Sequence, residues 1–121
     1  MLTNVSLLEI GADTGANNKI SFLGASGDRL VVDAAAQFGT NVGLGTYTGP
    51  KLENFATLDT VDLKNLVFSG ATIDSYTAAT GLLQLHSGSA KATLLFDNAT
   101  LGSGSFHLAP DTGTGTAITH S

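Results

Sequence analysis

The 121-residue chain carries ten Asp or Glu against five Lys or Arg, a formal charge of −5, which argues against the basic footprint that nucleic acid or an anionic membrane surface would need. Only 12% of residues are charged, Gly, Ala, Thr and Ser fill 56 positions, and there is no Cys or Trp. One domain rich in small side chains is expected, with no disulfide, thiolate metal site, thiol nucleophile or helical membrane span of about 18 apolar residues.

Residues 1–4 lack the basic stretch that opens a secretory signal. Both ends read as cut, so the expectation is a module of a longer exported protein. Along the chain, apolar residues recur two apart at Ile20/Phe22, Leu30/Val32, Val42/Leu44, Val61/Leu63, Leu83/Leu85, Leu94/Phe96 and Phe106/Leu108, with Leu52, Ile73 and Ile118 in the gaps. A period of two separated by Gly, Asn, Asp, Ser and Thr clusters is the strand signal. Helical spacing is sustained nowhere; 31–38 offers a turn or two at most.

In chain order, residues 20–23 and 29–33 are expected to form a hairpin across 24–28, and 39–49, with four Gly in eleven residues, reads as the loosest stretch. The clearest hairpin joins 82–86 to 90–96 across Ser87-Gly88-Ser89, placing Leu83, Leu85, Ala92, Leu94 and Phe96 inside and Gln84, His86, Lys91 and Thr93 outside. A second joins 106–108 to 116–118 across 110–115, where Pro110, Gly113 and Gly115 forbid regular pairing. Strands this closely spaced fit a β-sandwich or jelly roll, or two strands per coil of a β-solenoid. The small-residue composition without Trp favours a β-solenoid or β-helix-like stack of short strands ending in C-terminal hairpins.

Three segments resemble the repeat modules of very large bacterial exported proteins, the type I-secreted hemolysin-like proteins and autotransporter-like adhesins. Residues 55–63 (FATLDTVDL) resemble "GF..GDTIDL", residues 78–85 (AATGLLQL) the "TGvLtv" strand, and residues 105–119 (SFHLAPDTGTGTAIT) the "sFhlasDghGGTlIT" ending. They fall in the family's order within 52–119, about half the chain. The departures are Leu58, where the family has Gly, and Thr114, in place of a Gly of the ending. The resemblance implies a secreted or cell-surface, non-catalytic β unit.

Chemistry-bearing residues are sparse. No G-x-S-x-G or H-E-x-x-H occurs, and His86, His107 and His120 each lie in an alternating stretch that reads as surface. Structural calcium would draw on oxygen-rich loops at 13–18, 59–62, 97–98 or 111–116, with Asp59 and Asp62 the chosen pair; the competing account is Asp and Asn side chains bonding their own turns. A carbohydrate would stack on an aromatic ring while short polar side chains take its hydroxyls. The candidates are Tyr47 with Lys51, and Tyr76 with Gln84 and His86. The expected function is a non-catalytic carbohydrate-binding module whose partners are polysaccharide and neighbouring modules, with a homo-oligomer possible at open strand edges; a structural or adhesive spacer is the alternative.

Overall fold

The computed structural model describes residues 7–10 by backbone alone, and 19–22, 27–34, 38–101 and 104–121 with their side chains. Ten strands and one turn of helix occur among them: β1 (Leu7–Ile10), β2 (Lys19–Ser21), β3 (Arg29–Val32), β4 (Lys51–Glu53), β5 (Thr60–Leu63), β6 (Ala71–Thr77), β7 (Leu82–Ser87), β8 (Ala90–Phe96), α1 (Asn98–Leu101), β9 (Phe106–Pro110) and β10 (Thr116–His120). The all-β expectation therefore holds. Among the described residues no helix is long and apolar enough to cross a membrane.

The strands form two open, mixed sheets, ordered β1-β3-β5-β10-β9 and β2-β4-β8-β7-β6. β1, β3 and β5 run parallel in the first; β2, β4 and β8 run parallel in the second. From β1 to β5, consecutive strands alternate between the sheets. This corrects the expected hairpin of 20–23 with 29–33: β2 pairs with β4 and β3 with β1 and β5, so the two strands belong to different sheets.

The later strands pair locally. β6-β7-β8 is an antiparallel meander, and Ser87 opposite Ala90 leaves a two-residue turn. Gly88 takes φ +61 there, the sign that the first central position of a II′ turn demands. In the β9–β10 hairpin, Pro110 pairs with Thr116 at the end of the ladder, so regular pairing runs one residue further than Pro was expected to allow. As an edge strand, β9 owes no further bond through the missing Pro N–H.

The alternating apolar residues of both sheets meet in one cluster that includes Leu30, Val32, Leu52, Val61, Leu63, Leu83, Leu85, Leu94 and Ile118. Each such side chain contributes about 1.5–3 kcal/mol by leaving water. Phenylalanines run through this cluster as a chain of contacts, Phe22 to Phe55 (5.1 Å between centroids), Phe55 to Phe96 (5.2 Å) and Phe96 to Phe106 (4.9 Å). Four rings in edge-to-face and tilted contact fill the space without a Trp.

The segment 38–49 is also more ordered than its composition suggested. Thr40 and Thr48 exchange backbone hydrogen bonds and pair their hydroxyls. Inside this loop the Tyr47 ring is 5% exposed, and its hydroxyl donates to the Phe38 carbonyl. A Cβ on Gly39 or Gly49 would fall 2.7 Å from Tyr47 Cζ, so these glycines make room for the ring. The loop folds over the outer face of β8, where Gly43 N–H donates to Thr93 Oγ1 at 2.7 Å. Thr93, expected to face outward toward water or a partner, is covered by this loop and 1% exposed.

Candidate functional site

Residues of β6, α1, β9 and β10 line a cleft of about 430 Å³. Its position follows from a break in strand periodicity. In β6, Ile73 pairs with Leu85 and Tyr76 with Leu83, so four residues on β6 oppose three on β7, with a bulge between Ile73 and Ser75. A strict period of two would turn Ser75 inward. The bulge instead turns Tyr76 inward, which is how such irregularities re-aim a side chain.

Within the cleft's lining, Phe106 packs edge to face on Tyr76 at 5.0 Å and on the His120 imidazole at 4.8 Å. These two contacts continue the phenylalanine chain out of the core to the surface. Ile73 and Leu101 complete the apolar walls, while Asn98, Ser105 and His120 supply polar atoms. The Tyr76 hydroxyl donates to Asn98 Oδ1 at 2.8 Å. Burial, and then the negative charge of Asp97, raise the Tyr76 phenol above its ordinary value, so it remains an un-ionised donor. Burial, with a smaller contribution from His107, lowers His120, which keeps the imidazole uncharged at neutral pH.

A second depression of about 180 Å³ adjoins the first, sharing Ala78 and Asn98 with it. Lys51, Thr80 and Asp97 line it. The structure thus brings two of the residues singled out from sequence, Tyr76 and Lys51, to either side of one ridge. The others lie elsewhere. Tyr47 is enclosed by its own loop and has no open ring face to offer a sugar, which corrects its expected role as a stacking platform. Gln84 and His86 point away from the cleft, on the opposite face of β7 from Leu83 and Leu85. There His86 Nδ1 meets Asp74 Oδ1 at 2.7 Å.

The carboxylates chosen for calcium are held by different partners. Asp59 is 1% exposed and accepts the Asp28 amide on Oδ1 and the Ala56 amide on Oδ2, both at 2.8 Å. This is an acid stabilising its own turn. Asp62, on the outer face of β5, takes Arg29 Nη2 at 2.6 Å on Oδ2 and meets the Asp111 carboxyl. Its Oδ1 is buried. Burial first, and the Asp111 contact second, raise the Asp62 carboxyl above its ordinary value against the opposing pull of Arg29. Asp111 in turn accepts the Gly113 and Gly115 amides on Oδ1, at 2.6 and 3.0 Å, and is lowered, first through its bond to Asp62. One proton shared between the two acids accounts for both directions. Among the described residues no group of three or more His, Cys, Asp or Glu could hold a metal ion; the loop at 13–18 lies outside them.

Sequence reasoning missed Phe106, His120 and Asn98 as cleft residues. His120, expected at the surface, is 5% exposed: it lies two residues beyond the buried Ile118 on the same strand and opposite Phe106, so its spacing from Ile118 was the available signal. No protein-family model matches the chain, and neither does any curated protein or any solved structure.

Proposed function

We propose that this chain is a non-catalytic carbohydrate-binding module of a secreted bacterial protein, and that it holds its sugar in the cleft between β6 and β9. The observation that carries the reading is the conjunction of an aromatic lining, Tyr76 packed on Phe106, with donors and acceptors from Asn98, Ser105 and His120 at one opening. Sugar rings stack on such walls through their apolar C–H faces, and their hydroxyls need convergent polar partners. Among the cleft's described lining residues the titratable groups, one imidazole and one phenol, do not make the pair of carboxyl groups that glycoside hydrolysis ordinarily uses, which supports a binding role.

A glycan array probed with the wild-type chain, Tyr76→Ala and Phe106→Ala tests this. Retention of at least one neutral glycan, lost in both variants while far-UV circular dichroism is unchanged, is the expected result; no retention by the wild type overturns it.

The strand order favours a second reading, a spacer unit of a large surface protein. The alternation of β1 to β5 between sheets, each return adding one parallel strand, supports a solenoid-like winding. The opposite edges are blunted, β6 by its bulge and β9 by Pro110, devices that discourage further strand addition. In this reading a neighbouring module of the parent chain, or a second copy, continues the sheets beyond β1 and β2. Sedimentation of a tandem two-module chain tests it: an elongated rigid particle is expected, and two independently tumbling units would refute it.

A further inference from the structure

We infer that the cleft and its neighbouring depression are two subsites of one groove, so that the ligand is a chain of at least two sugar residues with an uncharged residue in the cleft. This rests on the carbohydrate reading and adds to it the length and charge of what is bound.

The geometry carries the inference. Ala78 and Asn98 belong to both depressions, so they form the ridge that a linked pair of rings would straddle. The two sides differ in chemistry. The cleft is walled by Tyr76, Phe106, Ile73 and Leu101, and among its described lining residues there is no Lys or Arg. The charge that acts on Tyr76 is the negative one of Asp97. A carboxylate or sulfate on the ring placed there would lose its hydration and gain no cation, a cost that a neutral ring avoids. The second depression is polar: Lys51 offers three donors, Asp97 acceptors, and Thr80 a hydroxyl. That set suits the hydroxyls of a following residue, and the ring that borders it, Phe96, is 1% exposed and presents no open face on which a sugar could bind alone.

The Asn98 side chain sits at the junction. Its Oδ1 already accepts from Tyr76, which leaves its amide hydrogens to address a glycosidic or hydroxyl oxygen crossing the ridge. α1 fixes it there: Asp97 Oδ1 accepts the Ala99 amide at 3.2 Å, and Thr100 donates its hydroxyl back to the Asp97 carbonyl at 3.1 Å.

Calorimetric titration of the whole chain with matched neutral pairs tests the proposal: glucose against cellobiose and maltose, mannose against mannobiose, N-acetylglucosamine against chitobiose. For the sugar that binds, the disaccharide should gain about ten-fold or more in affinity over its monosaccharide. Lys51→Ala and Thr80→Val should remove most of that gain, and Gln84→Ala, on the opposite face, should leave it intact. Oxidising the terminal residue to its uronic acid should abolish binding in the cleft. Equal affinity for monosaccharide and disaccharide, an undiminished gain in both variants, or tighter binding of the uronic acid overturns the two-subsite proposal while leaving the carbohydrate reading standing. Absence of binding across the panel overturns that reading itself.

Discussion

Replacing Arg29 with Met keeps the aliphatic stem but removes the cation that neutralises Asp62. The Asp62 side chain is 7% exposed and the Arg29 side chain 36%, so the pair lies between the buried and exposed limits. Breaking a fully buried pair costs about 3–5 kcal/mol and an exposed one about 0–1 kcal/mol. For this geometry the expected loss at neutral pH is about 2–3 kcal/mol, or about 10 °C in Tm for a domain of this size. The loss should depend on pH. Asp62 has a raised folded-state pKa, so its protonated form favours the fold; that contribution is fully present below the unfolded value of about 3.9 and is lost as pH rises through the folded value. Without Arg29 the carboxyl rises further, so the deficit of the variant is full at pH 7 and shrinks towards pH 4. Urea denaturation at both pH values, with an unchanged m-value, reads this directly. The double variant Arg29→Met/Asp62→Asn should recover most of the loss, since the uncompensated charge is gone. Equal deficits at pH 7 and pH 4, or a deficit under about 0.5 kcal/mol at pH 7, would refute the reasoning.

Two glycines with positive φ separate backbone sterics from turn preference. Gly81 (φ +79) has the Phe96 carbonyl oxygen where a Cβ would stand, whereas the space beside Gly88 (φ +61) is open. Gly81→Ala should cost about 3 kcal/mol and Gly88→Ala about 1 kcal/mol by thermal denaturation; equal costs would contradict the steric account. Asp59→Ala strands the Asp28 and Ala56 amides and should cost about 3 kcal/mol. The wild-type Tm should be indifferent to chelator, and a drop on chelation would instead revive the calcium site expected at Asp59 and Asp62.

Strand positions were legible because burial of alternate residues leaves a direct trace: Leu83, Leu85, Leu94 and Phe96 each point where their spacing says. Partner choice was legible only where it is local, as at Ser87-Gly88-Ser89. β2 and β4 carry no mark of each other, since a parallel pair joined through the other sheet needs no turn between its members. The cleft escaped notice because the bulge in β6 breaks the same periodicity from which facing was read. Tyr47 misled because an aromatic ring among glycines looks exposed on paper; Gly39 and Gly49 are there to admit it, and a ring flanked by two such residues at the ends of a short loop is the signal that was available. Asp62 and Asp111 are separated by most of two hairpins, and only the fold brings their carboxyls into contact.

The order of the first sheet has a consequence for proteolysis. β10 lies in the interior of that sheet, with β5 on one side and β9 on the other. A cut within 116–120 therefore removes a central member instead of a fringe, and it strands the ladders on both flanks at once.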